Sequence, residues 1–120
     1  MDTLSCSDNL LVHGDNLVAL RELRARFEGT IRCVYLDPPF NTGRRFDEYT
    51  DSLETDAWAS MMRPRLEAIA PLVAEDGAVF AEIDDTELAT LIALMDDVFG
   101  RDNRISTITV TSHLASDERG

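Results

Sequence analysis

A carboxylate, two prolines and an aromatic ring stand side by side in Asp37-Pro38-Pro39-Phe40, directly after the apolar run "CVYL". Each proline fixes its own φ and lacks an N–H, which predicts a rigid extended corner with free carbonyl oxygens beside the carboxylate. The Asp37 carboxylate and the Pro38 carbonyl could accept both hydrogens of a planar exocyclic amine and direct its lone pair toward an electrophile. Phe40 could stack on the ring that carries the amine. This corner therefore suits methyl transfer to an amino group.

The segments around the corner alternate between strand-like and helix-like patterns. Strands are predicted over 9–15, 30–37, 78–84 and 104–112, and helices over 16–27, 56–76 and 85–99. Pro64 and Pro71 each remove a backbone donor, so the second helix should kink or break near one of them, and Gly100 should end the third. Residues 44–56 are polar and predict a loop. Apolar strands that alternate with helices predict an α/β fold, with a mainly parallel sheet covered on both faces.

Three of the predicted strands end in acids, namely Asp15, Asp37 and the pair Asp84 and Asp85. A single acid in such a position most simply caps a helix. Ligands of open α/β sheets lie outside the carboxyl ends of the strands, and three acids at that edge therefore predict a site.

The chain is strongly acidic, with 23 acids against 11 basic residues, a formal net charge of −12 and no lysine. Such a surface repels a phosphate backbone unless its few arginines are clustered. Arg44 and Arg45, just after the corner, are the best candidates for contact with phosphate, and a solvated loop pair is an equally good interpretation.

At 120 residues the chain fits one domain at most. It has no apolar run of the roughly 20 residues that span a bilayer, and no pattern of a secretory signal. These features predict a soluble, cytoplasmic protein. Cys6 and Cys33 lie in no CxxC pattern and are expected to be two buried or half-buried thiols, with neither a disulfide nor a metal site.

The corner resembles the catalytic motif of amino-group DNA methyltransferases, Asp/Asn/Ser-Pro-Pro-Tyr/Phe/Trp. The segments around it are similar, in the same order, to the modification subunits of type III restriction systems and their β-class adenine-specific relatives. These segments are "LLVHGDNLVALREL", "IRCVYLDPPFNTG", "FDEYTD" and "WASMMRPRLEAIAPLVAEDGAVFAEIDDTELATLIALMDDVFGRDN". The resemblance covers residues 10–108, nearly the whole chain.

This resemblance implies a partial Rossmann-like methyltransferase fold, S-adenosylmethionine as cofactor and an adenine flipped out of double-stranded DNA as target. It also implies a restriction subunit or a second copy of the chain as further partners, and a reaction without a metal. The catalytic pocket would consist of Asp37, Pro38, Pro39 and Phe40. The cofactor-binding residues would be Asp15, for which a helix cap is nearly as good an interpretation, with Asn41, Thr42 and Gly43. Asp84, Asp85 and Glu87 match an "IDDNE" segment of the family, where helix capping and structural roles are favoured.

The family also binds its cofactor through a glycine-rich turn, commonly FxGxG, and the six glycines of this chain form no GxG. We therefore expect residues 1–120 to be the N-terminal part of the methyltransferase catalytic domain, without the glycine motif and the target-recognition domain, or a truncated reading frame. The alternative is a noncatalytic remnant or interaction module. A further alternative is a methyltransferase for a cytosine N4 amine, an RNA base or a protein amide.

Overall fold

The structure, a computed structural model, describes residues 9–42, 45–46, 49–50 and 54–111, and of 45, 46, 49 and 50 it describes the backbone alone. Strands β1 and β4 pair in parallel, and the two-residue strands β2 and β3 pair antiparallel. This mixed architecture confirms the predicted α/β class, with a small parallel sheet and flanking helices. The elements in chain order are α1 (Asn16–Phe27), β1 (Ile31–Leu36), β2 (Arg45–Phe46), β3 (Tyr49–Thr50), α2 (Thr55–Ile69), a 3₁₀ turn (Ala70–Leu72), β4 (Val73–Ala81), α3 (Leu88–Phe99) and a second 3₁₀ turn (Arg101–Asn103).

Helix α1 begins where its N-cap signal predicts. The Asp15 carboxylate accepts hydrogen bonds from the backbone N–H groups of Leu17, at 2.8 Å, and Val18, at 3.3 Å. These bonds satisfy donors that have no partner inside the first turn of a helix. The predicted bounds of this helix are confirmed at both ends.

The second predicted helix ends earlier than expected. Pro64 lies inside α2, and Pro71 lies in the 3₁₀ turn that follows Ile69, so the predicted break is found at the second proline. The prediction of helix as far as residue 76 was wrong, because β4 already begins at Val73. Pro71 cannot continue the α-helical hydrogen bonds, and Val73 pairs instead with Ile31 of β1.

Strand β4 contains a bulge that depends on a glycine. Ile31 pairs with Val73 and Cys33 pairs with Ala78, so β4 has extra residues between two paired positions. A Cβ added to Gly77 would lie 2.8 Å from the backbone oxygen of Ile31. A residue with a side chain could not stand this close, and Gly77 therefore lets β4 pass against the start of β1.

The core lies between helices α2 and α3 and one face of the sheet. Leu36 and Ala81 of the sheet pack against the core. On the opposite face Tyr35 is 65% and Phe80 is 48% exposed, so the described residues cover one face and the prediction of two covered faces was wrong. Cys33, expected to be buried or half-buried, is exposed because it lies in the part of β1 that the helices leave open. The buried core side chains are Trp58, Met62, Leu66, Leu91 and Leu94.

Two predicted strands are absent. The described residues of 9–15 and 104–112 form neither strand nor helix. Leu11 is 96% and Ile105 is 90% exposed. Strand-like sequence forms a strand only where backbone groups pair with a neighbour, and none of the described strands pairs with these two segments. Helix α3 begins at Leu88, three residues later than predicted, and ends as predicted at Gly100, whose φ is +91°. None of the helices in the described ranges is long and apolar enough to cross a membrane.

Candidate functional site

The Asp-Pro-Pro-Phe corner begins where β1 ends. The backbone N–H of Glu82 donates to the Leu36 oxygen at 2.8 Å, so the sheet remains paired up to the residue before Asp37. Asp37 and Pro39 are exposed, and Pro38 and Phe40 are half-buried. Among the residues that the structure describes, none forms a hydrogen bond with the Asp37 carboxylate or the Pro38 carbonyl. Within the described chain, both acceptors that the sequence predicts for an amine are therefore free of hydrogen bonds.

The second proline is held by the core. The indole N–H of Trp58 donates to the Pro39 carbonyl oxygen at 2.8 Å, and the Trp58 side chain is fully buried. The spacing of apolar residues along α2 predicts Trp58 as a core residue, and this is confirmed. Its contact with the corner is an additional role. This hydrogen bond attaches the corner to the core at Pro39.

The residue after the corner has an unusual backbone conformation and a buried partner. Asn41 has a φ of +63°, in the left-handed region that asparagine visits more readily than most residues. Its side-chain amide donates to Oε1 of Glu87 at 2.9 Å, and the Thr55 hydroxyl donates to the same oxygen at 3.1 Å. Asn41 and Glu87 are 8% and 2% exposed. The loop that follows the corner is thus attached to the first residue of α2 and to the residue that precedes α3.

The "IDDTE" segment makes fewer helix-capping hydrogen bonds than its sequence predicts. Glu87 occupies the N-cap position of α3, but its side chain makes no capping hydrogen bond. Asp84 accepts instead from the backbone N–H of Thr86, at 2.9 Å, which forms a local turn. Asp85 is exposed. The predicted capping role is therefore wrong for Glu87, because its carboxylate is turned toward Asn41 and Thr55.

Acidic groups surround the open side of the corner. The Tyr35 hydroxyl donates to Oε2 of Glu82 at 2.5 Å. This hydrogen bond raises the pKa of Tyr35 above its ordinary value of 10.0, and desolvation and the charges of Glu82 and Asp37 raise it further. A negative field therefore extends along this edge from β4 to Asp37. Such an edge favours ligands that bring donors or positive charge.

The structure brings only some of the predicted site residues together. Asp37 and Asp84 follow the paired strands β1 and β4. Asp15 follows no strand and caps α1, so the prediction of three acids at strand ends of one sheet was wrong. Thr42 is half-buried, and Asn41 is buried against Glu87.

The remaining predicted positions lie where little is described. Gly43 and Arg44 fall outside the described residues, and so do Cys6 and the end of the predicted fourth strand. Arg45 is described only as a backbone position of β2. In the part of the chain that the structure describes, no three His, Cys, Asp or Glu residues are grouped so that they could hold a metal ion.

Comparison with known proteins decides the family. The family model described as DNA methylase matches residues 31–117, which include the corner, the sheet and helices α2 and α3. The chain belongs to the DNA methylase family. A family of methyltransferases implies a donor of the S-adenosylmethionine type in general.

Curated relatives match almost all of the chain. It is 41% identical over 108 residues to the probable HindVI Mod subunit of a type III restriction-modification enzyme from Haemophilus influenzae, which covers 90% of this chain and 14% of the relative. It is 30% identical over 138 residues to the EcoPI Mod subunit of Escherichia phage P1, covering 90% of this chain and 21% of the relative. It is 34% identical over 118 residues to the type II methyltransferase M.KpnI of Klebsiella pneumoniae, covering 92% and 28%. The chain thus spans less than a third of each of these relatives.

The Asp-Pro-Pro-Phe motif alone does not predict three side chains that support the corner. Trp58 lies 19 residues from Pro39, and Glu87 lies 46 residues from Asn41. Thr55 donates to the Glu87 oxygen that also accepts from Asn41. An asparagine after a rigid turn is a sequence signal for a left-handed position, and it could have predicted the conformation of Asn41. Nothing local in the sequence identifies its partner.

Proposed function

We propose that the complete gene product that contains this chain is a site-specific DNA adenine-N6 methyltransferase of a restriction-modification system. The observation that carries this proposal is the pair of free acceptors on Asp37 and Pro38, next to a Pro39 carbonyl that Trp58 already engages. An exocyclic amine has two hydrogens to donate, and the Asp37 carboxylate and the Pro38 carbonyl can each accept one of them. The membership of the DNA methylase family supports the nucleic-acid substrate.

The proposed role of the corner is to orient the adenine amine. Its lone pair is delocalised into the ring, so a ground-state adenine is a poor nucleophile. Hydrogen bonds from the two N6 hydrogens to Asp37 and Pro38 hold the nitrogen so that its lone pair points away from these two acceptors. The bound amine is thereby oriented for reaction. With a methyl donor bound, Asp37 and Pro38 would present the N6 lone pair to the methyl group, and one N6 proton would pass to solvent.

S-adenosylmethionine would supply the methyl group as an electrophile attached to a sulfonium. Asp84, which follows β4 and is half-buried, would suit such a cation or the hydroxyl donors of its ribose, and Asp37 is reserved for the amine. Asp15 and Asn41 already use side-chain atoms, in the α1 cap and in the bond to Glu87. For these two residues, and for Thr42 and Gly43, we propose that backbone position shapes the cofactor loop.

Phe40 is proposed to stack on the flipped adenine. The alanine variant should raise the KM for DNA by roughly 10- to 100-fold, because stacking of a base on an aromatic ring contributes about 1 to 3 kcal/mol. The tyrosine variant keeps the ring and should stay close to the wild-type KM. Steady-state methylation of a DNA substrate measures both values. Equal KM values for Phe40→Ala and Phe40→Tyr would contradict stacking.

DNA contact by so acidic a chain needs arginines that are not already paired. Arg24, Arg32, Arg63 and Arg104 form ion pairs with acids of the chain itself. Arg44 and Arg45 stay the proposed phosphate contacts because of their place in the sequence, directly after the corner. Relatives named as Mod subunits of type III restriction-modification enzymes support a restriction subunit as the protein partner. The shares of their lengths that the chain matches, 14% and 21%, fit a part of a larger protein, and we propose that this part is the N-terminal part of the catalytic domain.

The function is tested by incubating the purified complete gene product with DNA and S-adenosylmethionine carrying a labelled methyl group. The DNA is then digested, and the labelled nucleoside is identified by chromatography and mass spectrometry. We expect N6-methyladenine. Label on cytosine N4, or label on an RNA or a protein in place of DNA, would assign the same corner to another amine. No label in any of them would favour the noncatalytic alternative.

A further inference from the structure

The carboxylate of Glu87 is buried, although its hydrogen bonds satisfy only one of its two oxygens. Its residue is 2% exposed, Oε1 accepts two hydrogen bonds, and Oε2 has no hydrogen-bond partner among the described residues. A buried acceptor without a partner lowers stability. Capping does not account for it, because the side chain makes no bond to the first turn of α3. A residue that costs stability and caps nothing calls for a functional explanation.

The two hydrogen bonds of Oε1 connect Glu87 to the loop after the corner and to α2. Asn41, with its φ of +63°, is held from one side, and Thr55, the first residue of α2, is held from the other. Trp58, one turn further along α2, holds Pro39. The corner is therefore attached to the core at Pro39 and immediately after Phe40, and the free acceptors on Asp37 and Pro38 lie before both attachments.

We propose that Glu87 is a positioning residue for methyl transfer. It holds Asn41 in the left-handed conformation and so keeps the Asp37 and Pro38 acceptors at the spacing that an exocyclic amine needs. Glu87 contacts neither the base nor the cofactor in this scheme, and it acts through Asn41. This inference rests on the proposed function and adds to it a residue outside the recognised motif.

Two substitutions in the complete gene product separate positioning from charge. Glu87→Ala removes the shared acceptor, and we expect kcat to fall about 100-fold, the loss that a displacement of about 1 Å in a catalytic group can cause. The KM for S-adenosylmethionine should change by less than about threefold. Glu87→Gln keeps the side-chain length and one carbonyl acceptor, and it should restore kcat to within about fivefold of the wild type.

A matched control and a second route guard against loss of folding. Ile69→Ala removes a buried side chain at the end of α2, outside the core cluster of Trp58, and should lower the unfolding temperature while leaving kcat unchanged below it. Should Glu87→Ala fail to fold, Asn41→Gly breaks the same hydrogen bond from the other end, and glycine tolerates the positive φ. It should lower kcat by a similar factor, and the double variant should be no worse than either single variant.

A second readout does not depend on methylation. The indole N–H of Trp58 reports on the corner through its bond to Pro39, and its NMR signal is assigned by its loss in Trp58→Phe. Glu87→Ala should raise the hydrogen-exchange rate of this proton at least about tenfold above that in Ile69→Ala. An unchanged exchange rate, an unchanged kcat, or a Glu87→Gln variant as slow as Glu87→Ala would each overturn the positioning role. Lack of methylation by the wild type, with exchange still raised in Glu87→Ala, would instead refute the proposed function.

Discussion

Replacing Asp37 with alanine is expected to lower the rate of DNA methylation by roughly 10³-fold, the upper end of the cost of one preorganised polar contact in an active site. The carboxylate is one of two free acceptors at the end of β1, and without it the amine keeps a single hydrogen bond and loses its orientation. Affinity for S-adenosylmethionine should change by less than about threefold. Single-turnover methylation gives the rate, and calorimetric titration of the cofactor gives the affinity.

The chain supplies a close control for the loss of charge. Asp76 is an exposed acid of β4, paired with Arg32 at 3.4 Å, and Asp76→Ala removes the same carboxylate away from the corner. This variant should methylate at the wild-type rate, because exposed ion pairs contribute little. Asp37→Asn keeps one acceptor oxygen and should fall between the wild type and Asp37→Ala. Methylation that survives Asp37→Ala would refute the role assigned to the carboxylate.

Replacing Trp58 with alanine is expected to lower the free energy of unfolding by about 3 to 5 kcal/mol, the range found for large buried aromatic residues. Trp58 is fully buried in the core between α2 and α3, so the alanine leaves a cavity beneath the corner. The change also removes the 2.8 Å hydrogen bond to Pro39. Urea denaturation of the complete gene product, followed by circular dichroism, measures the loss.

Ser60→Ala is the matched control for this substitution. Ser60 is an exposed residue of the same helix, so its replacement should change the free energy of unfolding by less than about 0.5 kcal/mol. Trp58→Phe keeps most of the core volume but not the N–H, and it should cost about 1 kcal/mol. If Trp58→Ala unfolds at the same urea concentration as the wild type, Trp58 is not the centre of the core.

Local signals account for the parts of the fold that the sequence predicts well. The N-cap of α1 depends on hydrogen bonds from the N–H groups of Leu17 and Val18 to Asp15, and the end of α2 depends on Pro71. Both effects act within a few residues, so the printed sequence contains them. The start of β4 at Val73 depends on pairing with Ile31, which is distant in the chain. An apolar periodicity that continued past Leu72 could not reveal that pairing.

Strand predictions failed where the partner decides the structure. Segments 9–15 and 104–112 have strand-like composition, yet Leu11, Ile105 and Val110 are exposed in irregular chain. Strand propensity mainly describes how well a residue fits a paired and half-buried surface, and the sequence of one segment does not contain the position of its neighbour. Helices carry their hydrogen bonds within the segment, and the bounds of α1 were predicted correctly at both ends.

The candidate site also combines features that the local sequence predicts with features that depend on distant residues. The acceptors on Asp37 and Pro38 follow from the chemistry of four adjacent residues, and the DNA methylase match includes them. The supports of this corner come from other elements, because Glu87 lies 46 residues from Asn41 and Trp58 lies 19 residues from Pro39. Only the folded chain brings these groups together. The motif therefore predicts the chemistry, and the structure adds the residues that hold it in place.

The central claim is that Asp37 and Pro38 orient an adenine amine for methylation. The most direct test expresses the complete gene product in a host that lacks its own DNA methylation and reads the genome by modified-base sequencing. The account predicts N6-methyladenine at one recurring sequence with the wild-type protein and none with Asp37→Ala. Equal N6-methyladenine with both proteins, or N4-methylcytosine in its place, would contradict it.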